Sequence, residues 1–219
     1  MARIDLARRA EIGRDRRAKT RAQLLRAARA LYAERAIEAV TIDDLVKEAR
    51  VAKGTFYAHF DRLADLQAAV ADELMQTFDG LLQPLRQTLA DPIDRVAAGS
   101  AAFIGEALRD PAWGRLAACG ASALSAGSAV RTNLTEDLKQ AAEKGRLHPM
   151  TAELAFDVVT GIVIQVMRAA GQRRLSPAKA PEAVEAILRA IGIAARESQV
   201  IVDRILPGSA NDAPTLGRA

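Results

Sequence analysis

Apolar residues recur at helical spacing along most of the chain, and no segment shows the strict alternation that is typical of a strand. The first helix is predicted over about 20–35, with Thr20 as its N-cap. Two short helices follow, over 41–49 and about 53–60, joined by a tight connection at Arg50–Val51. The pattern therefore predicts an all-α fold that begins with three helices.

The rest of the chain is predicted to be helix after helix, separated by breaks that contain proline or glycine. One helix begins near Asp61 and continues past Met75, with a break expected at Pro84. The helices after it are predicted over 94–109, 112–120, 122–144, 151–171 and 180–205. Residues 207–219 are rich in Pro, Gly and small polar types, which predicts a flexible tail.

The last two predicted helices, 151–171 and 180–205, are apolar over more than one stripe. A helix in a monomer needs one buried face, so a second apolar face indicates a partner. We expect these helices from two chains to form a four-helix bundle in a homodimer, with Ile191 or Val163 among the outward positions.

Charge changes this picture at the N-terminus. Residues 1–60 hold 14 Lys and Arg against 8 Asp and Glu, whereas residues 61–219 hold 17 against 19, within a total net charge of +4. A local basic excess is typical of a polyanion partner, and it is equally typical of a solvated basic tail. Residues 1–19, which carry seven basic side chains, are expected to form an arm that is disordered or helical only when docked.

Several classes of protein are disfavoured by what the sequence lacks. A single cysteine, Cys119, excludes an intrachain disulfide and fits a reducing cytoplasm. The Arg-rich N-terminus lacks a signal peptide's apolar stretch, and the most apolar run, Val158–Met167, is too short to span a bilayer. These features predict a soluble cytoplasmic protein without a membrane partner.

Enzymatic function is disfavoured by the inventory of reactive residues. The two histidines, His59 and His148, are far apart and lack metal-ligand spacing, and the sequence has no Gly-rich phosphate loop. The run Gly120–Leu124 resembles a nucleophile elbow but lacks its final glycine. We therefore expect no enzyme activity, no cofactor and no metal.

The two short helices and the basic arm before them are typical of a helix-turn-helix, whose second helix enters the DNA major groove. We expect Val51, Phe56 and Phe60 to anchor that second helix in the core. Its opposite face offers small, polar and basic groups: Lys53, Gly54, Thr55, Tyr57 and His59. A glycine permits close approach to the duplex, a lysine supplies charge, and hydroxyls suit phosphate oxygens.

The stretches 30–35, 40–45 and 51–60 resemble the tetracycline-repressor (TetR) family, most specifically in Lys-Gly-Thr-Phe-Tyr-Ala-His-Phe after a Thr-capped helix. The resemblance implies a three-helix DNA-binding head and a helical body that binds ligand and dimerises. The expected organisation is an arm (1–19), a helix-turn-helix domain (20–66), a ligand-binding and dimerisation domain (67–206) and a tail (207–219).

Three positions depart from the family's pattern. The family often has Gly where Ala36 and Arg50 stand, so both are expected to be left-handed positions. It usually has a phosphate-contacting Lys where Leu63 stands, and Arg62 is the candidate substitute. The expected DNA-contacting residues are therefore Thr41, Lys53, Gly54, Thr55, Tyr57, His59 and Arg62.

The function that follows is a ligand-responsive transcriptional repressor that binds a palindromic, double-stranded operator as a homodimer and is released by a small apolar or amphipathic effector. Candidate pocket residues, for each of which plain core packing is the alternative, are Phe78, Phe103, Trp113, Cys119, Phe156 and Met167. Cys119 is a candidate redox sensor or a small buried hydrophobe. The alternative function is an all-helical small-molecule-binding protein or enzyme without specific DNA binding.

Overall fold

The computed structural model describes residues 2–120, 128–147 and 149–207, with the backbone alone at residues 2–7 and 9. This part of the chain forms α-helices and short 3-10 turns and contains no strand, which confirms the all-α prediction. It separates into two compact units, Met1–Val70 and Ala71–Ala219. His148, residues 121–127 and the expected tail beyond Pro207 lie outside the described residues.

The helices are α1 (Ala2–Glu34), α2 (Ile42–Glu48), α3 (Lys53–Tyr57), α4 (Leu63–Thr88), α5 (Pro92–Arg109), α6 (Pro111–Gly120), α7 (Ala129–Glu143), α8 (Ala152–Gly171), α9 (Ala180–Ala190) and α10 (Ala195–Ile205). Short 3-10 turns cover Ile37–Ala39 and Pro177–Lys179. The helix predicted over 122–144 is described only from Ala129 onward.

The first helix differs from the prediction because it begins at Ala2 and includes the whole expected arm. Thr20 does not cap it: the Thr20 hydroxyl donates to the Arg16 carbonyl oxygen at 3.0 Å. A hydroxyl that bonds the carbonyl four residues earlier can remain inside a helix, and the Ala- and Arg-rich residues before it have high helix propensity. The expectation of an irregular arm was therefore wrong.

The first unit, Met1–Val70, is held by a core to which each of its first three helices contributes. Leu24, Ala28, Leu45 and Phe56 are fully buried. Thr41 caps α2 as predicted, because its hydroxyl accepts from the Asp44 N–H at 3.2 Å while the Asp44 carboxylate accepts from the Thr41 N–H at 3.0 Å. This reciprocal cap fixes the start of α2.

The turn between α2 and α3 contains one of the two expected left-handed positions. Arg50 has φ +53°, in the region where a glycine would be less strained. Ala36, by contrast, has φ −59° and ψ 138°, so an ordinary extended conformation leads into the 3-10 turn and that expectation was wrong. The recognition-helix candidate α3 ends at Tyr57, and residues 58–60 form a turn rather than the predicted last helical turn.

The second unit, Ala71–Ala219, packs α5 and α8 at its centre, with α6, α7, α9 and α10 around them. Two predicted boundaries fail here. Pro84 lies inside α4 and does not break it, and the helix predicted over 180–205 is two helices separated at Gly192, whose φ is +100°. That left-handed position ends α9 and lets α10 fold back against α5 and α9.

The long helix α8 explains the strongest apolar signal in the sequence. Within the described ranges it is the one helix whose length and composition would suffice to cross a membrane, and the whole helix is longer than its most apolar run, Val158–Met167. In the structure, 39% of its apolar stretch is buried. Ile191 is fully buried and Val163 is half-buried against the core, so neither is the outward position that was predicted. The exposed large apolar residue of α8 is instead Leu154, whereas Val158 and Ile162 are half-buried against the core like Val163.

Candidate DNA-binding surface and ligand cavity

The short helix α3 has one buried face and one exposed face. Phe56 is fully buried and Phe60 is 5% exposed, with their ring centroids 5.9 Å apart, so the predicted anchors hold the helix from behind. Val51, the third predicted anchor, is only half-buried. Tyr57 is 50% exposed, an unusual exposure for a large aromatic side chain.

Four predicted contact residues lie on α3 itself. Lys53, Gly54 and Tyr57 are exposed, and Thr55 is half-buried. A Cβ added at Gly54 would meet no atom within 4 Å, so the glycine leaves open space at the start of the helix. The backbone at this point of α3 can therefore come close to a binding partner.

Lys53 forms an ion pair with Asp43 of α2, with 2.8 Å between the ammonium nitrogen and the carboxylate oxygen. The hydrogen bond and the charge of Asp43 raise the pKa of Lys53, so the lysine stays charged. Both side chains are exposed, and an exposed pair contributes little stability. The ammonium group is thus free to exchange Asp43 for a phosphate.

Two arginines of α1 brace the end of α3, which sequence reasoning missed. The Arg17 guanidinium donates to the Ala58 carbonyl oxygen at 2.8 Å, and the Arg21 guanidinium lies 5.2 Å from the Phe60 ring centroid. The four-residue spacing of the two arginines would have indicated a shared face, had α1 been predicted to extend that far.

His59 lies half-buried in this same region. Its Nδ1 is buried without a hydrogen-bond partner in the described structure. Burial, followed by the positive charges of Arg17 and Arg21, lowers the pKa of His59 below its ordinary value. The imidazole is therefore neutral at neutral pH and contributes no charge of its own.

The two remaining predicted DNA contacts, Thr41 and Arg62, lie at the starts of helices. Thr41 is exposed at the N-cap of α2, and its hydroxyl also donates to the Asp44 carboxylate at 2.7 Å. Arg62 precedes α4 with its side chain 77% exposed, while its guanidinium bonds Asp65 at 3.2 Å. Leu63, the first residue of α4, is half-buried, which leaves Arg62 as the cation at this helix start.

The second unit contains a cavity of about 570 Å³, counting its open mouth, between the helices α4, α5, α7 and α8. The space inside it that the centre of a water-sized molecule can occupy is much smaller, about 60 Å³, so only a small ligand would fit without movement of the walls. Its walls are mostly apolar, and the lining residues are Met75, Asp79, Arg86, Arg95, Val96, Gly99, Ser100, Phe103, Val130, Asn133, Leu134, Val159, Thr160, Val163, Ile164 and Met167.

The predicted pocket residues divide into three groups. Phe103 and Met167 line the cavity. Phe78 and Trp113 do not line it but pack behind Phe103, with centroid distances of 5.1 and 6.1 Å from its ring. Cys119 is exposed, so the alternative that it is a small buried hydrophobe was wrong.

Phe156 belongs to a different core cluster from the one around Phe103. It is 6% exposed and carries the Arg131 guanidinium 4.6 Å above its ring. It lies away from the cavity wall.

The charged residues that line the cavity, Asp79, Arg86 and Arg95, were missed, as was Asp137, which does not line it but pairs with both arginines. Asp137, 3% exposed at its side chain, pairs with Arg86 at 2.5 Å and with Arg95 at 2.6 Å. Asp79, 4% exposed, accepts from Asn133 at 2.7 Å. These pairs join residues more than 40 positions apart, so no short sequence pattern could have predicted them. The one local signal was the carboxylate of Asp79 within the apolar stripe of α4.

Comparison with known proteins assigns both units. The family model described as "Bacterial regulatory proteins, tetR family" matches residues 24–70, and "Tetracyclin repressor-like, C-terminal domain" matches residues 91–204. The HTH-type transcriptional regulator TtgR of Pseudomonas putida is 36% identical over 63 residues, 29% of this chain and 30% of TtgR. The chain thus matches less than a third of that relative's length.

Solved structures are similar over far more of the chain. RolR, crystallised in complex with resorcinol, is 27% identical with a TM-score of 0.68, and the match covers 88% of this chain and 97% of RolR. The fatty acid degradation regulator FadR from Bacillus halodurans, 19% identical with a TM-score of 0.56, shares the fold over 77% of this chain and 94% of its own. The chain is a tetR-family transcriptional regulator with an N-terminal DNA-binding domain and a C-terminal ligand-binding domain.

Proposed function

We propose that the protein is a repressor that binds a palindromic operator as a homodimer and leaves it when a small effector occupies the cavity. The observation that carries this proposal is α3, whose buried Phe56 fixes the helix while Lys53, Gly54 and Tyr57 stay exposed. A helix anchored on one face and polar on the other suits the major groove.

Each exposed group has a distinct role in this proposal. Gly54 lets the helix start approach base edges, and Lys53 exchanges Asp43 for a phosphate or a guanine edge. The hydroxyls of Thr55 and Tyr57 bond phosphate oxygens. Thr41, His59 and Arg62 make flanking contacts, of which only the Arg62 contact carries charge at neutral pH.

The helical extension of α1 supplies additional positive charge. Arg14, Arg16 and Lys19 are exposed on it. Exposed cations near a duplex release counterions whatever its sequence, so they increase affinity without reading bases. We assign residues 1–19 to this role, 20–66 to the DNA-binding domain and 67–206 to ligand binding and dimerisation.

The exposed apolar face of α8 supports dimerisation. Leu154 is 53% exposed, and the half-buried Val158 and Ile162 follow it at four-residue intervals on the same side of the helix. Gly161, beside them, is exposed with no atom within 4 Å of an added Cβ, so another helix can approach closely. We propose that this stripe, with the neighbouring face of α9, packs against its copy in a second chain.

Dimerisation explains how one short helix per chain recognises a palindrome. Two recognition helices must lie about 34–36 Å apart to enter successive major grooves. An effector releases the operator if it binds more tightly to a dimer with a different spacing, because a ligand shifts an equilibrium only through differential affinity. RolR, with resorcinol bound, supports a small-molecule site in a chain of this architecture.

The proposal is tested by footprinting the full-length protein on the DNA upstream of its own gene. Protection of one palindromic site at physiological salt, lost in the presence of an effector, is the expected result. Binding to many sites with equal affinity would indicate a nonspecific DNA-binding protein. No binding even in low salt would favour the alternative of a small-molecule-binding protein or enzyme.

A further inference from the structure

The cavity contains a carboxylate whose hydrogen-bonding capacity is only half used. Asp79 is 4% exposed and lines the cavity. Its Oδ2 accepts from the Asn133 side chain at 2.7 Å and from the Gln83 side chain at 3.1 Å. Its Oδ1 accepts no hydrogen bond from any residue in the described ranges and is not one of the fully enclosed unpartnered atoms there, so it is open to the cavity.

An ionised carboxylate buried in an apolar site is costly unless both oxygens accept hydrogen bonds. Asp79 can only accept when it is ionised, so the missing partner is a donor. None of the apolar side chains around it can supply one. A ligand in the cavity that carries a hydroxyl would complete the site.

The charge balance of the cavity indicates a neutral ligand. Arg86 and Arg95 both line the cavity, and both are paired with the buried carboxylate of Asp137. With Asp79 the cluster has two positive and two negative charges, so it is already neutral. A carboxylate ligand would meet Asp79, and an ammonium ligand would add an uncompensated charge at low dielectric.

The walls favour a flat ring as the body of the ligand. Phe103 presents an aromatic ring that is held from behind by Phe78 and Trp113. Met75 and Met167 line the same cavity, and thioethers make favourable contacts with aromatic rings. A rigid ring also loses little conformational entropy when it binds.

We propose that the effector is a neutral, hydroxylated aromatic compound of the phenol class, and that its hydroxyl donates a hydrogen bond to Asp79. This inference rests on the proposed function, because it identifies the ligand of the same cavity. Asp79 accepts the hydrogen bond from the hydroxyl, and Phe103, Met75 and Met167 contact the ring.

The test is isothermal titration of the full-length protein with five probes: phenol, resorcinol, anisole, benzoate and benzylamine. Phenol and resorcinol are expected to bind at least about tenfold more tightly than anisole, which has the ring but no donor. Benzoate and benzylamine are expected to bind more weakly than phenol. The proposal is overturned if anisole equals phenol, if either charged probe binds more tightly, or if no probe binds at millimolar concentration.

Two variants locate the site. Asp79→Asn is expected to weaken phenol binding about tenfold, because a charge-assisted hydrogen bond becomes a neutral one. Asp72→Asn is the matched control, a carboxylate on the same helix that is not among the lining residues, and should bind phenol like the wild type. Equal phenol affinity in the two variants would contradict the assignment of Asp79.

A third variant tests the cavity independently of Asp79, in case Asp79→Asn does not fold. Gly99 lines the cavity, and a Cβ there would meet no atom within 4 Å. Gly99→Leu should fill the cavity while keeping the Asp79 carboxylate and abolish binding of every ring probe, whereas Gly99→Ala should retain most of it. Unchanged phenol binding in Gly99→Leu would place the ligand elsewhere.

Operator binding by the ligand-free protein separates this inference from the proposed function. If the operator is bound but phenols are not, the ligand class is wrong and the repressor stands. If phenols bind through Asp79 but no operator is bound, the ligand site stands and the repressor fails.

Discussion

The two units of the chain place their functional groups in opposite ways. In residues 1–70 most of the candidate contacts are exposed, and most lie within the ten residues from Lys53 to Arg62. In the second unit the polar groups are buried, and their hydrogen bonds join α4 or α5 to α7 across more than 40 positions. A surface built from one local motif can be predicted from sequence, whereas a cavity assembled across helices cannot.

The two units are also expected to differ in which substitutions they tolerate. Lys53 and Tyr57 are exposed, so they can change without disturbing the core. Asp79 and Asp137 are nearly inaccessible and hold partners on other helices, so a change at either alters a whole cluster. Variants in each unit can therefore show whether the two units depend on each other in the way that the proposed repressor requires.

The largest effect is expected from a charge on the exposed face of α8. Leu154→Asp should convert the dimer to a monomer, because it places a carboxylate in an apolar interface, and operator affinity should fall by about a hundredfold or more. Light scattering and gel shifts measure the two effects. Leu154→Ala is the milder control, and circular dichroism should show an unchanged helix content in both variants.

A monomeric wild-type protein at micromolar concentration would refute this expectation, and with it the spacing mechanism. A dimeric Leu154→Asp protein would move the interface to another face.

A smaller effect is expected from the recognition helix. Lys53→Ala and Tyr57→Ala should each weaken operator binding about tenfold and leave the melting temperature and phenol binding unchanged. Asp43→Asn is the informative counterpart, since it releases Lys53 from its ion pair and should bind the operator at least as tightly as the wild type. Normal operator affinity in both alanine variants would remove these residues from the interface.

A change in salt dependence is expected from the basic extension of α1. If the dimer neutralises about six phosphates, log K should fall with log salt concentration with a slope of about −5. Deletion of residues 1–18 should make the slope shallower while base specificity is kept. This deletion also removes Arg17, so Arg17→Ala is the control for its contact with Ala58. An unchanged slope would show that the extension does not contact DNA.

The smallest effect concerns the pH dependence of stability. Burial raises the pKa of Asp72 from 3.8 to about 6. The folded state therefore holds a proton that the unfolded chain has already lost between those two values, so this group makes the protein less stable as pH rises through that window. Asp72→Asn should raise the melting temperature at about pH 8 by more than at about pH 4. Equal shifts at both values would contradict the raised pKa.

Several features of the first unit could be predicted because their causes are local. Thr41 and Asp44 are three residues apart and cap α2 reciprocally, and Phe56 and Phe60 fall on one face at a spacing of four. The left-handed conformation of Arg50 was predicted from the resemblance instead, because the family often has Gly at this position of the turn. The extent of α1 was missed because charge and weak apolar periodicity were interpreted as an irregular arm, although helix propensity was high there.

The sequence by itself determined the all-α fold, the helix-turn-helix and its anchors, because helix periodicity, caps and short motifs depend on neighbours in the chain. Tertiary structure decided which apolar faces are buried: Ile191 is enclosed and Leu154 is exposed, although both belong to apolar stripes. It also decided the cavity, since Asp79 meets Asn133 only after α4 packs beside α7. Which of several apolar faces becomes buried, and which distant residues pair, depend on how the helices pack, and the periodicity of a single segment does not determine either.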